Sequence, residues 1–257
     1  MPAEKPLVYL ILGAAGSGRR EVVADLIEGG LGGGKRSAVL LSEGEAPDPA
    51  DPRLGMVVRW RWIANGAIEV AVPAGLDVVF LITDGRKNPV DQLEAFEAWV
   101  GSQSVELARV LCVVNCRLAE LNPPLLAWYD ACVHFSDVVL LNRREGVTNK
   151  WITGFQNHIK HQFLPCLVEM VKDGCVANPA LILEPQALRI SHVFDEEEDW
   201  VTAEGDDAEA EDEDGAGAGG EEEVKMVLEE DPYFARRQGG RRVKELPDIA
   251  EFLNRAH

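Results

Sequence analysis

The chain has 257 residues, and 46% of them are hydrophobic, which is enough for a substantial core and excludes disorder throughout. Its net charge of −19 is concentrated in one segment: residues 195–231 hold 19 acidic side chains and one lysine, whereas residues 1–194 hold 22 acidic and 18 basic side chains. This balance excludes nucleic-acid binding through overall basicity, because duplex affinity depends on Lys and Arg neutralising phosphates.

Short apolar runs alternate with helical patterns from the start of the chain. Continuous apolar runs are typical of strands buried on both faces of a parallel sheet. The predicted strands are Leu7–Leu12, Ala38–Leu41, Val78–Ile82, Val110–Val114 and Val138–Leu141. The predicted helices are Arg19–Glu28, Val90–Val100 and Trp151–Val171. The alternation predicts a doubly wound α/β domain with a mostly parallel sheet over residues 1–194.

A second pattern, of period 2, runs through Met56–Val72. Trp60 and Trp62 alternate there with arginines, and Asn65-Gly66 follows as a two-residue turn signal. The pattern predicts an antiparallel β-hairpin inserted into the α/β domain. Packing of this hairpin on the main sheet explains the two tryptophans more simply than stacking on a ligand does.

The C-terminal part differs in composition from the rest. Residues 195–223 contain 16 carboxylates and no basic group, so they cannot bury enough apolar area to offset the ordering entropy, and we expect a disordered acidic linker. Residues 224–257 return to apolar residues, then a basic cluster, then a short helical pattern at 248–255. They form either a solubilising tail or a tethered peptide that docks on a protein partner or folds back. We expect residues 1–194 to fold without them.

A glycine loop joins the first predicted strand to the first predicted helix. Such a loop lets backbone N–H groups converge on phosphate oxygens at a helix N-terminus. The standard Walker A pattern is GxxxxGK[ST], and this loop is a degenerate form of it. Arg19 stands where the lysine belongs, and Arg20 where the Mg²⁺-binding hydroxyl belongs, which makes a bound Mg²⁺ doubtful. The candidate phosphate-binding residues are Gly13, Gly16, Ser17, Gly18, Arg19 and Arg20. The alternative is a plain glycine turn.

Three further stretches occur in the order expected of a P-loop GTPase. They are SEGE at 42–45, TDGRKNP at 83–89 and LLNRRE at 140–145. The last resembles the guanine-reading NKxD motif, with Asn142 and Arg143 flanking the base and Glu145 accepting from two guanine nitrogens. With VLCVVN at 110–115, this order resembles the CobW-like family of P-loop GTPases and metallochaperones, over about residues 6–190.

The resemblance implies a protein that binds GTP or GDP. Asp84 could supply a carboxylate near Mg²⁺, but the family's loop Lys and Thr are both Arg here, which should slow phosphoryl transfer. The family's CxCC motif falls in a stretch without cysteine, so no Zn²⁺ is expected. The family's C-terminal domain is replaced by the acidic segment. We therefore expect GTPase activity that is weak or absent, at most a slow GTPase.

Two other functions stay open. One is a non-enzymatic interaction protein on a degenerate GTPase scaffold, working through a partner of residues 224–257. The other, a small-molecule kinase, is disfavoured by the missing loop lysine. His158 and His161 share a helical face with Cys166 and could hold a soft metal, although ordinary polar-face histidines explain them better. The sequence does not indicate an oligomeric state.

Cysteine usage and hydropathy indicate the compartment. No apolar run approaches the ~20 residues that a membrane span requires, and Leu7–Leu12 is too short for a signal-peptide core. The five cysteines are an odd number without CxxC spacing, and Cys112 lies within a predicted core strand. Reduced thiols are typical of the cytoplasm. The sequence therefore predicts a cytoplasmic protein without a membrane role.

Overall fold

Buried strands and helices alternate along the chain, as the apolar runs predict. The structure, a computed structural model, describes residues 5–64, 66–195 and 230–253. Its strands are β1 Leu7–Leu12, β2 Ser37–Ser42, β3 Met56–Trp62, β4 Ile68–Glu69, β5 Val78–Ile82, β6 Glu106–Asn115, β7 Val138–Asn142, β8 Leu167–Lys172 and β9 Cys175–Val176. Its helices are α1 Arg19–Gly30, α2 Pro89–Ser102, α3 Cys116–Leu121, α4 Leu126–His134, α5 Asn149–His161, α6 Pro179–Ile182 and α7 Ala250–Leu253.

The strands of the described residues form one sheet in the order β4-β3-β2-β5-β1-β6-β7-β8-β9. Neighbours from β3 to β8 are parallel, and the two outermost pairs, β3 with β4 and β8 with β9, are antiparallel. The predicted α/β class with a mostly parallel sheet is confirmed. The strands that follow β1 first lie on one side of it, as β2 and β5, and then on its other side, as β6 and β7. The carboxyl end of β1 is therefore a topological switch point, the place where α/β folds bind ligands.

The core lies on both faces of this sheet. Alternate residues of β1 illustrate the arrangement: Leu10 and Leu12 join the cluster on one face, and Tyr9 and Ile11 join the cluster on the other. All four are at most 2% exposed. Burial on both faces explains why the central strands are continuous apolar runs instead of alternating ones. No helix among the described residues is long and apolar enough to cross a bilayer.

The predicted hairpin is confirmed as an antiparallel pair of β3 and β4, in which Trp62 lies opposite Ile68. β3 also continues the main sheet, because it pairs in parallel with β2. Trp60 is fully buried, and its indole N–H donates to Ile82 O at 3.0 Å, so core packing accounts for it. Asn65 of the predicted turn lies outside the described residues.

The predicted helix Trp151–Val171 is wrong in its second half. Helix α5 ends at His161, and β8 begins at Leu167 as a strand paired with β7. Between them Phe163 has a φ of 54°, outside the helical range, and Pro165 supplies no N–H for a helical bond. The apolar residues after 161 therefore belong to a strand between β7 and β9, although their spacing also suits a helix.

The C-terminal segment, residues 230–253, packs on the α/β domain. Tyr233, Ile249 and Phe252 are at most 9% exposed and belong to the same cluster as one face of the sheet. Phe234 stacks on Phe135 of the domain with ring centroids 5.4 Å apart. Of the alternatives for this part of the chain, folding back describes residues 230–253. The expectation that residues 1–194 fold without the tail stays a prediction. Because their core includes side chains from this segment, we expect them to be less stable without it.

One polar anchor holds the start of the C-terminal segment. Asp231 accepts hydrogen bonds from Ser191 Oγ at 2.6 Å and from Tyr233 N at 2.9 Å, and it pairs with His134 Nε2 at 2.8 Å. Burial works against the charged form of Asp231, but these donors outweigh it and lower the pKa of the carboxyl. The predicted acidic linker, residues 195–223, lies outside the described residues apart from Asp195.

Candidate functional site

The glycine loop lies at the carboxyl end of β1, at the switch point of the sheet. Gly13, Gly16 and Gly18 have φ values of 139°, 76° and 85°, a region that favours glycine over residues with a Cβ. Gly18 is the residue that precedes α1 and has a left-handed conformation. Glycines at these positions allow the tight strand-to-helix turn from which backbone N–H groups can converge on an anion.

The turn after β5 packs directly against this loop. A Cβ on Gly85 would overlap the main-chain nitrogen of Ala15 and the Arg19 guanidinium, so only glycine fits there. Gly85 O accepts a hydrogen bond from Ala15 N at 2.9 Å. From the other side, a Cβ on Gly13 would overlap Val113 O of β6. The loop is therefore held between the two strands that flank β1.

Both arginines at the start of α1 are buried and paired with carboxylates. Arg19 donates to Thr83 O and, through Nη2, to Glu45 Oε1 at 2.5 Å. Arg20 donates to Glu45 Oε2 and to Asp51 Oδ1, each at 2.8 Å. The side chains of Arg19, Arg20 and Glu45 are each at most 7% exposed. The two cations of the loop are thus neutralised within the chain.

Glu45 is the centre of this ion-pair network. Its Oε1 also accepts from Gly85 N at 3.2 Å, and the carboxylate bridges the two guanidinium groups. Burial opposes its charge, but the nearby Arg19, the Gly85 N–H and Arg20 together lower the pKa of the carboxyl. Glu45 is therefore an anion at neutral pH.

The side chains near the loop do not suit Mg²⁺, which requires oxygen ligands in octahedral geometry. At the position next to Arg19, the chain has the guanidinium of Arg20 and no hydroxyl. Asp84 is 7% exposed, and its Oδ1 accepts from Arg86 N at 2.9 Å. Both oxygens of Glu45 are engaged by arginines. Mg²⁺ would be repelled there by the two guanidinium groups, so this set of residues does not fit the ion.

The Asn142–Glu145 segment lies against the opposite side of the loop. Asn142 Nδ2 donates to Ser17 O at 2.8 Å, and Arg143 Nε donates to Gly16 O at 3.3 Å. Arg143 has a φ of 51° and pairs through Nη2 with Glu21 of α1 at 2.7 Å. The structure therefore brings together the glycine loop and the segment that resembles NKxD, although Asn142 and Ser17 are 125 residues apart.

Two side chains of the site have notable surroundings. Ser17 is fully buried, and its Oγ has no hydrogen-bond partner among the described residues. Glu145, three residues after Asn142, is exposed. Its carboxylate is free to accept hydrogen bonds from a molecule in solution, whereas the Ser17 hydroxyl is enclosed beneath the loop.

Of the two histidines considered as metal ligands, His158 has another partner and His161 is exposed. His158 Nε2 lies 2.8 Å from Asp130 Oδ1, an ordinary surface pair, and Cys166 is partly buried. Within the described ranges no group of three or more His, Cys, Asp or Glu side chains could hold a metal ion. Cys112 lies in the core, with 0% exposure, as its strand context predicts.

Sequence reasoning missed the roles of Glu45, Asp51 and Gly85. Glu45 and Gly85 lie in stretches that the motif comparison identified, SEGE and TDGRKNP, but as positions in a pattern and not as partners of the loop arginines. Asn115, whose amide donates to Gly16 O at 3.4 Å, was also missed. The sequence did contain an indication. Two adjacent arginines lie at the start of a helix that packs on the sheet, and buried arginines require carboxylates nearby.

Comparisons with known proteins return structures and no sequence relatives. No protein-family model matches the chain, and no curated protein matches it by sequence. Among solved structures, the Zn(II)-bound YjiA GTPase of E. coli is 14% identical with a TM-score of 0.40, over 71% of this chain and 66% of that one. This chain therefore spans slightly less than two thirds of the YjiA chain.

Two further structures are similar. The hydrogenase maturation factor HypB of Archaeoglobus fulgidus is 12% identical, with a TM-score of 0.41, over 65% of this chain and 81% of that one. The cell division protein FtsY of Thermotoga maritima is 16% identical, with a TM-score of 0.43, over 75% of this chain and 69% of that one. All three TM-scores lie below 0.5. The resemblance to the CobW-like family therefore rests on the order of the sequence motifs.

Proposed function

We propose that this protein binds a guanine nucleotide, GTP or GDP, with slow or no hydrolysis. The observation that carries the proposal is the pair of hydrogen bonds from Asn142 and Arg143 to the loop carbonyls of Ser17 and Gly16. They hold a potential base-reading segment beside a glycine loop at the switch point of a parallel sheet. A plain glycine turn between a strand and a helix has no need of such a segment.

Each half of the nucleotide has candidate partners. Backbone N–H groups of the loop and the N-terminus of α1 would hold the phosphates. Asn142 can contact the base. Its side-chain amide uses one hydrogen for the bond to Ser17 O, which leaves the second hydrogen and the side-chain oxygen for the base. The exposed Glu145 carboxylate would accept from two guanine nitrogens. Adenine lacks that pair of donors, so the site should prefer guanine.

The proposed slow hydrolysis follows from the state of the loop cations. Phosphoryl transfer depends on positioning and on cations that stabilise the charge of the transition state. Arg19 is paired with Glu45 and bound to Thr83 O, and Arg20 replaces the hydroxyl that would bind Mg²⁺. These arginines therefore supply less free positive charge than a loop lysine with Mg²⁺ would.

Calorimetric titration of the full chain with GDP, GTP and ATP tests the proposal. We expect a guanine nucleotide to bind at least about tenfold more tightly than ATP, since a charge-assisted hydrogen-bond pair contributes about 1.5–3 kcal/mol. Removing Mg²⁺ with EDTA should weaken binding less than about tenfold, because the residues present do not fit the ion. Glu145→Ala should remove most of the preference for guanine.

Glu106→Ala is the matched control for Glu145→Ala. It changes an exposed carboxylate at the start of β6, at the opposite end of the parallel strands, and should leave both affinities unchanged. Absence of detectable GDP and GTP binding at about 1 mM ligand would contradict the proposal, since it means that binding is weaker than about −4 kcal/mol.

The second candidate is a non-enzymatic interaction protein on this scaffold. The specific observation in its favour is that both loop arginines are paired within the chain, which leaves neither cation free for a ligand. A protein partner would contact the exposed basic side chains of residues 224–257, such as Arg237 and Arg241. The same titration separates the two candidates, because only the first requires nucleotide.

We also place the protein in the cytoplasm. All five cysteines are free thiols, the state that a reducing compartment maintains. Three of them, Cys112, Cys116 and Cys132, are buried, and burial raises the pKa of Cys116 to about 12, so this thiol is unreactive at neutral pH.

A further inference from the structure

The Glu45 carboxylate occupies a cradle made of hydrogen-bond donors. Its Oε1 accepts from Arg19 Nη2 and from Gly85 N, and its Oε2 accepts from Arg20 Nη2. Two of these donors come from the first turn of α1, and the third comes from the turn after β5 that packs on the glycine loop. The cradle is therefore part of the loop itself and not a separate surface pair.

These donors are the kind that a phosphate group would use. In a loop of this pattern the cation at position 19 is the one that reaches the β- and γ-phosphates. Guanidinium groups bind carboxylate and phosphate oxygens with the same planar, two-point geometry. A carboxylate and a phosphate cannot accept from the same N–H groups at the same time, so the two anions compete.

We propose that Glu45 is an internal competitor for the terminal phosphate, so that the site selects a nucleoside diphosphate over a triphosphate. This inference rests on the proposed nucleotide binding and adds the phosphate specificity of the same site. The carboxylate uses side-chain donors of α1 and one N–H of the turn after β5, but no N–H of Gly16 or Gly18. The N–H of Ser17 donates within the loop, to Ala14 O at 3.1 Å. A diphosphate can bind the N–H groups of Gly16 and Gly18 while Glu45 stays in place, whereas a third phosphate must displace it.

Displacement is costly because the ion-pair network is buried. Arg19 and Glu45 are 4% and 7% exposed in their side chains, so neither can be rehydrated in place. Arg20 keeps a second partner, Asp51, when Glu45 leaves, but among the described residues Glu45 is the only carboxylate that pairs with Arg19. A triphosphate must therefore break the Arg19 pair before its own γ-phosphate can replace it.

The experiment compares the GDP and GTP affinities of the full chain and of Glu45→Gln by calorimetry. We expect the wild type to bind GDP at least about tenfold more tightly than GTP, and Glu45→Gln to reduce that ratio to about threefold or less by tightening GTP. The neutral amide no longer holds both guanidinium groups as an anion does. Inorganic phosphate should raise the melting temperature of Glu45→Gln more than that of the wild type.

Two control variants separate competition from general damage. Glu43→Gln changes an exposed carboxylate two residues away and should leave the ratio unchanged. Asp51→Asn removes a carboxylate from Arg20 without freeing Arg19 or the Gly85 N–H, so it should lower stability but change the ratio less than about twofold.

The outcomes distinguish this inference from the function on which it rests. Equal GDP and GTP affinities in the wild type overturn the inference and leave guanine-nucleotide binding intact, and this result needs no variant to fold. A ratio that Glu45→Gln does not change also overturns it. Absence of binding by any nucleotide to the wild type overturns both.

Discussion

The glycine loop and the C-terminal segment each hold a buried arginine on carboxylates, and they differ in how far water reaches those carboxylates. At the loop, the Arg19 and Glu45 side chains are 4% and 7% exposed. In the C-terminal segment, Arg242 is 7% exposed, but its partners Asp91 and Glu94 on α2 are 60% and 41% exposed. In the first pair both side chains are shielded from water, whereas in the C-terminal pairs only the arginine is shielded.

This difference determines what happens when a pair is broken. A carboxylate that can be hydrated gives up little when its partner leaves, so exposed pairs contribute about 0–1 kcal/mol. A pair buried on both sides leaves an uncompensated charge behind. The loop pair must therefore stay closed or be replaced by another anion, whereas the C-terminal pair can open without large consequence. The C-terminal segment therefore owes its position more to its apolar contacts and to the Asp231 anchor than to the Arg242 pairs.

Deletion of residues 230–257 tests that last point and should have the largest effect. It removes Tyr233, Ile249 and Phe252 from the core, and each buried side chain of this size contributes about 1.5–3 kcal/mol. The melting temperature followed by circular dichroism should fall by more than about 10 °C. Arg241→Ala, at an exposed position of the same segment, is the control and should have almost no effect. A fall of only one or two degrees would show that the segment is a separable tail.

Glu45→Ala should have the next largest effect. It leaves Arg19 and Arg20 buried with only Asp51 to compensate them, and such a loss costs about 3–5 kcal/mol. Urea unfolding measures the change in the free energy of unfolding. Glu43→Ala, an exposed neighbour on the same turn, should stay within about 0.5 kcal/mol. If Glu45→Ala costs less than about 1 kcal/mol, water reaches the loop arginines and the two regions do not differ as described.

Glu94→Gln should have the smallest effect and sharpens the comparison from the other side. Arg242 keeps Asp91 as a partner at 2.8 Å, and both carboxylates are accessible to water. The loss in free energy of unfolding should be below about 1 kcal/mol, because the pair is screened. Urea unfolding of this variant beside Glu45→Gln gives the contrast directly. A loss equal to that of Glu45→Gln would mean that exposure does not decide the strength of these pairs.

Local patterns predicted the strands better than the helices. The five predicted apolar strands are all present: two match at both ends, and the others differ by at most four residues at an end. Continuous apolar runs have few alternatives in a parallel sheet. Helices α3 and α4 were not predicted: α4 is apolar around most of its circumference, so it shows no clear period. The prediction of a helix failed in the second half of Trp151–Val171 for a related reason. The apolar spacing there suits both a helix and a strand, and only the pairing of β8 with β7 selects the strand.

The sequence by itself determined the α/β class, the glycine loop between β1 and α1, and the order of the motifs, because each depends on residues close together in the chain. The tertiary structure alone decided that Glu45 meets the loop arginines and that Arg242 reaches Asp91, over separations of 26 and 151 residues. These meetings follow from the sheet order, in which β5 lies between β2 and β1, and from the packing of the C-terminal segment on α2. Strand order is set by the burial of all strands together, which no local pattern encodes.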